Sequence, residues 1–296
     1  MAPRLSICIP SFQHGEFIGA TLASALASAP DNAEIIVLDD ASADNTLEVL
    51  ATFHDGRLRV ERNERRLGLA GNFNRCLEVA RGTYLKILCD DDLLYPGAID
   101  TLAAALDRFP SATFATSAWN VIDDSDAVIE TMRCVSHAPP DGRLVDLREI
   151  AASSRLYKNR IGGPSNVLLR REPLRGLRFS PDYVQMVDWD FWLRALNQGP
   201  LVYVPVVLSA YRRHFGATTA TERGRTPEEL LEISVGLKSL PGSERAIARG
   251  NVKRLQALCC LRAAGSALGR AASGRFRAAA HDAGVSKRAL AALIRQ

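Results

Sequence analysis

The chain has 296 residues, 47% hydrophobic and 24% charged, which supports a large folded core and excludes disorder as the default state. The uncharged stretches Phe17–Pro30 and Gly199–Tyr211 are broken by Ser, Gly or Pro and fall short of the roughly 18 apolar residues a membrane span requires. The net charge of +4 is uneven, since 246–296 holds ten Lys or Arg against the single acid Asp282. That leaves an acidic body with a basic tail.

In chain order, Leu5–Pro10 is a short apolar run that reads as a buried strand. Glu16–Ser28 places Phe17, Ile18, Leu22, Ala25 and Leu26 at near-helical spacing. Glu34–Leu38 is a second strand ending in Asp39-Asp40, and a helix capped by Asp44 follows through Leu47, Leu50 and Phe53. Leu58–Val60 is a third strand, Gly71–Ala80 a helix closed by Arg81-Gly82, and Tyr84–Cys89 a fourth strand running into Asp90-Asp91-Asp92. Repeated βα units of this length predict a parallel sheet with helices on both faces. Further on, Thr113–Ala118, Ser165–Leu169 and Leu201–Val207 read as strands and Val187–Asn197 as a helix. Beyond about Thr218 the pattern becomes Ala/Leu/Arg-rich and helical.

In open α/β sheets, ligands bind outside the carboxyl ends of the strands. Ser11–His14, Asp39–Asp44 and Asp90–Asp92 all follow strand ends, so they are expected on one rim. Three adjacent carboxylates repel one another by about 1 kcal/mol or more per close pair. A cation or full solvation must offset this, and oxygen donors suit Mg²⁺ or Mn²⁺. The paired acids Asp39-Asp40 can accept hydrogen bonds from a base N–H or from ribose hydroxyls. Asp44 reads as a helix cap rather than a ligand contact. The six cysteines form no C-x-x-C pair, which argues against zinc and for packing roles. The N-terminus shows no basic segment followed by an apolar one, so a cytosolic location is expected.

These segments, in order, resemble the inverting glycosyltransferases of family 2, which have the GT-A fold. The resemblance rests on Ile9-Pro10-Ser11-Phe12-Gln13, Asp39-Asp40-Ala41-Ser42-Ala43-Asp44, Asn63 to Gly68 with Asn74, and Gly82-Thr83-Tyr84 leading to Asp90-Asp91-Asp92-Leu93-Leu94. It continues through Gly163-Pro164-Ser165, Asp188-Trp189-Asp190-Phe191-Trp192-Leu193-Arg194 and Tyr211-Arg212-Arg213-His214, and so covers roughly residues 4–220. It implies an α/β architecture, a Rossmann-like mixed sheet flanked by helices. Residues 1–110 would form the nucleotide-sugar half, 111–220 the acceptor half and 221–296 a basic helical extension.

The resemblance also implies roles. Pro10, Ser11 and Asp40 would hold the base, Asp39 would support that strand end, Arg66 would lie near base or phosphates, and Asp90 would contact the ribose. Asp91 would bind Mn²⁺ or Mg²⁺, with Asp92 and His214 on the metal side. Asp188 would be the base that deprotonates the acceptor hydroxyl, with Asp190 on the acceptor side; Trp189, read from its own chemistry, either lines the acceptor site by stacking on a sugar face or packs in the core. Many relatives carry an acid where this chain has Cys89, and Glu-Asp where it has Val187-Asp188.

The expected activity is inverting transfer from a nucleotide-sugar, UDP-linked, to a glycan or lipid-linked acceptor in surface polysaccharide or glycolipid assembly. The basic tail helices could reach anionic lipid from the inner face of the membrane, or could pack on the body with solvated arginines. A sugar-phosphate nucleotidyltransferase is disfavoured because Ser11-Phe12-Gln13-His14-Gly15 is not a basic glycine-rich loop. A binding-only relative is disfavoured because Asp91 and Asp188 are both retained. Nucleic acid is not expected, since the tail has no interleaved aromatics beyond Phe276.

Overall fold

A computed structural model describes residues 3–152 and 159–214. The chain divides into two compact units, and the first contains every described residue except 148–152. The expected extension over 221–296, with Cys259 and Cys260, lies outside the described residues.

The elements are β1 (Leu5–Ser11), α1 (Ile18–Ser28), β2 (Glu34–Asp39), α2 (Thr46–Leu50), β3 (Leu58–Arg62), α3 (Gly68–Val79), β4 (Tyr84–Ile87) and β5 (Leu93–Leu94). They continue as α4 (Ala98–Arg108), β6 (Phe114–Ile122), β7 (Val128–Met132), β8 (Arg143–Val145), α5 (Leu147–Ala152), β9 (Val167–Arg170), α6 (Val187–Leu196) and β10 (Leu201–Arg212). The sheet runs β3-β2-β1-β4-β9-β6-β10-β5, with β7 added on β6 and β8 on β10.

Strand β1 is buried along its whole length, as a strand covered on both faces must be. Its period-2 alternation sends Leu5, Ile7 and Ile9 into a core shared with Ile18 and Leu22 of α1 and Leu102 and Leu106 of α4. Ser6 and Cys8 point the other way, and the Cys8 thiol reaches the Cys76 carbonyl of α3 at 3.7 Å. That second face carries an aromatic cluster in which Phe179 stacks on Phe191 at 4.1 Å and touches Phe73 at 5.0 Å, while Phe114 meets Trp192 at 5.5 Å. Each fully buried large side chain contributes about 1.5–3 kcal/mol, so these two layers fix the helices against the sheet.

The sheet is mixed, as the resemblance implies, where the βα repeats taken alone predict a parallel one. Strands β3, β2, β1 and β4 run parallel, as do β6 and β10, but β9 lies antiparallel between β4 and β6. A short apolar run carries no sign of its direction, so its orientation could not be read beforehand. Strand ends also shift. β10 continues to Arg212, β4 stops at Ile87, and Ser165 falls in a 3₁₀ turn (Pro164–Asn166) before β9. α4, β5, β7 and β8 add elements that the periodicity did not mark. Asp44 does cap, but from one residue outside the expected place. The residue at the cap position of α2 is Asn45, and the Asp44 carboxylate accepts from the Thr46 backbone N–H and hydroxyl and from the Gly15 N–H.

Candidate active site

The carboxyl ends of β1, β2 and β4 meet on one rim. Ser11 pairs in register with Asp39, and the Asp40 N–H donates to the Ser11 carbonyl at 2.8 Å. Beyond them lies a cleft of about 410 Å³ lined by Pro10, Ser11, Asp40, Arg66, Asp90, Asp91, Asp92 and Asp188 among others. Aspartates remote in sequence thus converge.

On the β1–β2 side the polar groups are unequally engaged. The Ser11 hydroxyl is buried and finds no partner among the described residues. A buried hydroxyl without a partner costs about 1–3 kcal/mol, so this one marks a place for a ligand donor or acceptor. Asp40 accepts from the Asn63 amide (2.8 Å), the Leu67 N–H (2.7 Å) and the Gly68 N–H (2.9 Å), and so organises the turn that starts α3. Its Oδ2 carries a single one of these bonds and keeps capacity for another donor. Asp39 does not line the cleft. It is buried, accepts the Ser42 N–H and faces the Arg62 guanidinium at 3.4 Å, which suits a support for the strand end. Arg66 lies 3.9 Å over the Phe12 ring, stacked as a cation on a π face at the cleft wall.

The acidic loop is held down at each member. Asp90 accepts the Phe12 N–H at 2.9 Å and pairs with His14 Nδ1 at 2.8 Å, tying the loop after β1 to the loop after β4. Burial would lower the His14 pKa, but the hydrogen bond and charge of Asp90, with Asp91 and Glu16 adding, push it up to about 9. His14 is therefore a cation that donates to Asp90. Asp91 Oδ2 lies 3.1 Å from His214 Nε2. Asp92 turns inward and is almost wholly buried, taking the Ser165 hydroxyl at 2.5 Å and the Arg212 N–H at 2.8 Å. Burial and then the charge of Asp91 push the Asp92 carboxyl well above the usual carboxylate range. Ser165 also accepts the Cys89 N–H at 3.0 Å, and its carbonyl accepts from buried Lys86. Burial pushes the Cys89 thiol up, with Asp92 and Asp91 adding, so a neutral group stands where a further acid would add repulsion.

Asp188 enters the cleft from the first turn of α6. Burial pushes its pKa up to about 7, against hydrogen bonds from the Trp189 N–H (2.6 Å) and the Asn159 amide (2.8 Å) that favour the anion. Such a carboxylate is poised to accept a proton near neutral pH.

The donor chemistry fits a divalent ion in part. Asp91 and His214 offer one oxygen and one nitrogen side by side, and Mg²⁺ or Mn²⁺ completes its shell with water and phosphate oxygens. Among the described residues no three His, Cys, Asp or Glu side chains converge as a preformed cage. Asp92 has both oxygens engaged, by the Ser165 hydroxyl and the Arg212 N–H, so on the metal side it stands as a brace behind Asp91 and His214. Asp190 departs from expectation, and of its two expected places Trp189 takes the core. Trp189 is 1% exposed and packs in the interior, and Asp190 is paired with Arg194 one helical turn on, so neither lines the cleft. The i to i+1 and i to i+2 positions of a helix point away from the face that carries Asp188. Phe12, His14 and Ser165 fall in the segments the sequence marks but carry no role there, and Asn159 falls in none of them. Their roles are contacts to groups 29 to 78 residues away, which no local pattern records.

The family model described as glycosyl transferase family 2 matches residues 6–178. An Escherichia coli protein named UDP-Glc:alpha-D-GlcNAc-diphosphoundecaprenol beta-1,3-glucosyltransferase is 28% identical over 240 residues, 80% of this chain and 86% of that protein. Staphylococcus aureus TarS, solved with UDP-GlcNAc, superposes with a TM-score of 0.68 at 17% identity, covering 85% of this chain and 71% of that one. A mannosyltransferase of Pyrobaculum calidifontis, solved with GDP-Man and Mn²⁺, superposes with a TM-score of 0.62 at 20% identity, covering 98% and 81%. The GT-A-type fold expected from the sequence is the fold found.

Proposed function

Because the chain belongs to glycosyl transferase family 2 and is a glycosyltransferase, we propose that it moves a sugar from a UDP-linked donor to a hydroxyl of a glycan or lipid-linked acceptor, with inversion. The observation that carries this reading is the convergence of Ser11, Asp40, Asp90, Asp91 and Asp188 on one cleft. Ser11 and the free capacity of Asp40 Oδ2 receive the base, and Arg66 with Phe12 forms the wall beside it. Asp91 and His214 would hold Mn²⁺ or Mg²⁺, which when bound stabilises charge on the departing diphosphate. Asp188 takes the proton of the acceptor hydroxyl while its oxygen bonds to the sugar anomeric carbon. The bond from that carbon to the diphosphate breaks, and the diphosphate leaves with the electron pair.

A lipid-linked acceptor is supported by the polyprenyl-diphosphate named for the Escherichia coli relative and by the basic composition of 246–296. No helix among the described residues is long and apolar enough to cross a membrane. A sugar-phosphate nucleotidyltransferase is set aside by the family assignment. The test is a panel of UDP- and GDP-sugars with Mn²⁺, read by thermal shift and by slow donor hydrolysis. A UDP-sugar is expected to stabilise the protein and to be hydrolysed. Stabilisation by GDP-sugars alone would overturn the donor assignment, and binding without turnover would mark a binding-only relative.

A further inference from the structure

The turn from Asn159 to Gly162 is fastened to α6 at two points. The Asn159 amide nitrogen donates to Asp188 Oδ2 at 2.8 Å, and the Trp192 indole N–H donates to the Gly162 carbonyl at 2.9 Å. The Asn159 side chain also ties the turn to itself. Its oxygen accepts the Ile161 and Gly162 N–H groups at 3.0 Å each, and its nitrogen shares the Gly162 carbonyl at 3.0 Å. Gly162 has φ +97°, and a Cβ there would collide with the Asn166 side chain, so the turn has little freedom to relax. A rigid turn thus presents one amide N–H to one oxygen of the carboxylate, while the backbone of α6 presents the Trp189 N–H to the other.

We infer that Asn159 is the positioning residue of Asp188, fixing the carboxylate so that its remaining lone pairs face the cleft. The inference rests on Asp188 being the base proposed above. A carboxylate pinned at a single oxygen can rotate about its last torsion, which is broad and roughly two-fold. Pinned at both oxygens it keeps one orientation, and misplacement of a reacting group by about 1 Å costs on the order of 10²-fold in rate. The same amide bond favours the anion and opposes the upward push of burial.

The other charged or titratable groups around this carboxylate are few. On α6, Asp190 is paired with Arg194. On the turn, the Arg160 guanidinium donates to the Arg133 carbonyl at 3.5 Å. Around the cleft stand His14, Asp40, Arg66, the Cys89–Asp92 run and Tyr211. None of these figures among the causes of the Asp188 shift, which are burial and hydrogen bonds from Asn159 and the local backbone.

The test titrates the full-length protein, labelled with ¹³C at the aspartate carboxyl carbons. Asp188→Asn assigns the Asp188 signal. Asn159→Ala removes the amide altogether. Asn159→Asp keeps an acceptor for the Ile161 and Gly162 N–H groups, so the turn survives, but replaces the donor with a second acid. The Asp188 midpoint is expected to rise by about half a pH unit or more in the first variant and by more than about one in the second, since paired carboxylates resist joint ionisation. The acid limb of the kcat profile for a UDP-sugar should move with it, with KM for that donor held. An unchanged Asp188 midpoint in both variants overturns the assignment. Because the titration needs no substrate, it decides the role of Asn159 even if no UDP-sugar turns over, an outcome that would count against the proposed function instead.

Discussion

Two sets of carboxylates share the cleft, and they live under opposite conditions. Asp40 and Asp90 each accept two or three donors, and Asp90 stands beside a cationic His14. Asp188, at the start of α6, has two donors and no ion partner among the described residues, and burial dominates its proton affinity. The rim after β1, β2 and β4 surrounds Asp40 and Asp90 with donors from neighbouring loops, whereas on the α6 side burial pushes the Asp188 carboxyl up to about 7. Catalysis by proton transfer asks for this separation, since pushing the environments of two carboxyl groups apart assigns them different tasks.

The comparison breaks most visibly at Asp188. Asp188→Asn is expected to lower transfer by about 10²–10⁴-fold while UDP still binds. A parallel loss of UDP affinity, measured calorimetrically, would place Asp188 with the donor-binding set instead. The pH dependence sharpens the same point. The base must be ionised, so kcat should fall about ten-fold per pH unit below the Asp188 pKa of about 7 and level off above it. A profile flat from pH 5 to 8 would show that the reaction does not depend on that proton.

On the other side, Asp91→Ala should weaken UDP binding by about ten-fold, roughly 1.4 kcal/mol, when Mn²⁺ is present and much less when it is chelated. Equal weakening under both conditions would remove the metal from the role given to Asp91. The smallest expected effect on activity is at Ser165, which holds Asp92 and the Cys89 N–H from below. Ser165→Ala should cost about 1–3 kcal/mol of stability, seen as a lowered Tm, with the pH profile of kcat unmoved. A displaced pH profile would instead link the two sides of the cleft.

The sequence made the donor rim legible because strand ends advertise themselves. An apolar run followed by Asp39-Asp40 or Asp90-Asp91-Asp92 fixes both the element and the side of the sheet its polar end must reach. The helix bearing Asp188 was legible for a similar reason, since Trp189, Trp192, Leu193 and Leu196 keep helical spacing. Trp189 stays open in the sequence because a large aromatic beside the proposed base is equally at home in a sugar pocket or a core. Which one it enters depends on the rotation of α6 about its axis, and the packing of Phe114, Phe179 and Phe191 around Trp192 sets that rotation.

By itself, then, the chain determined that strands lead into the Asp39-Asp40 and Asp90-Asp91-Asp92 clusters and that a helix begins at Val187, because these follow from local apolar patterning and chain polarity, while the last residues of the strands did not. Only the tertiary structure decided which carboxylates keep free lone pairs. Asp92 lost its place to Ser165 and Arg212, contacts separated by 73 and 120 residues, and Asp188 gained its orientation from Asn159 across 29. Hydrogen-bond occupancy and desolvation are properties of an environment assembled from distant segments, and no window of sequence contains them.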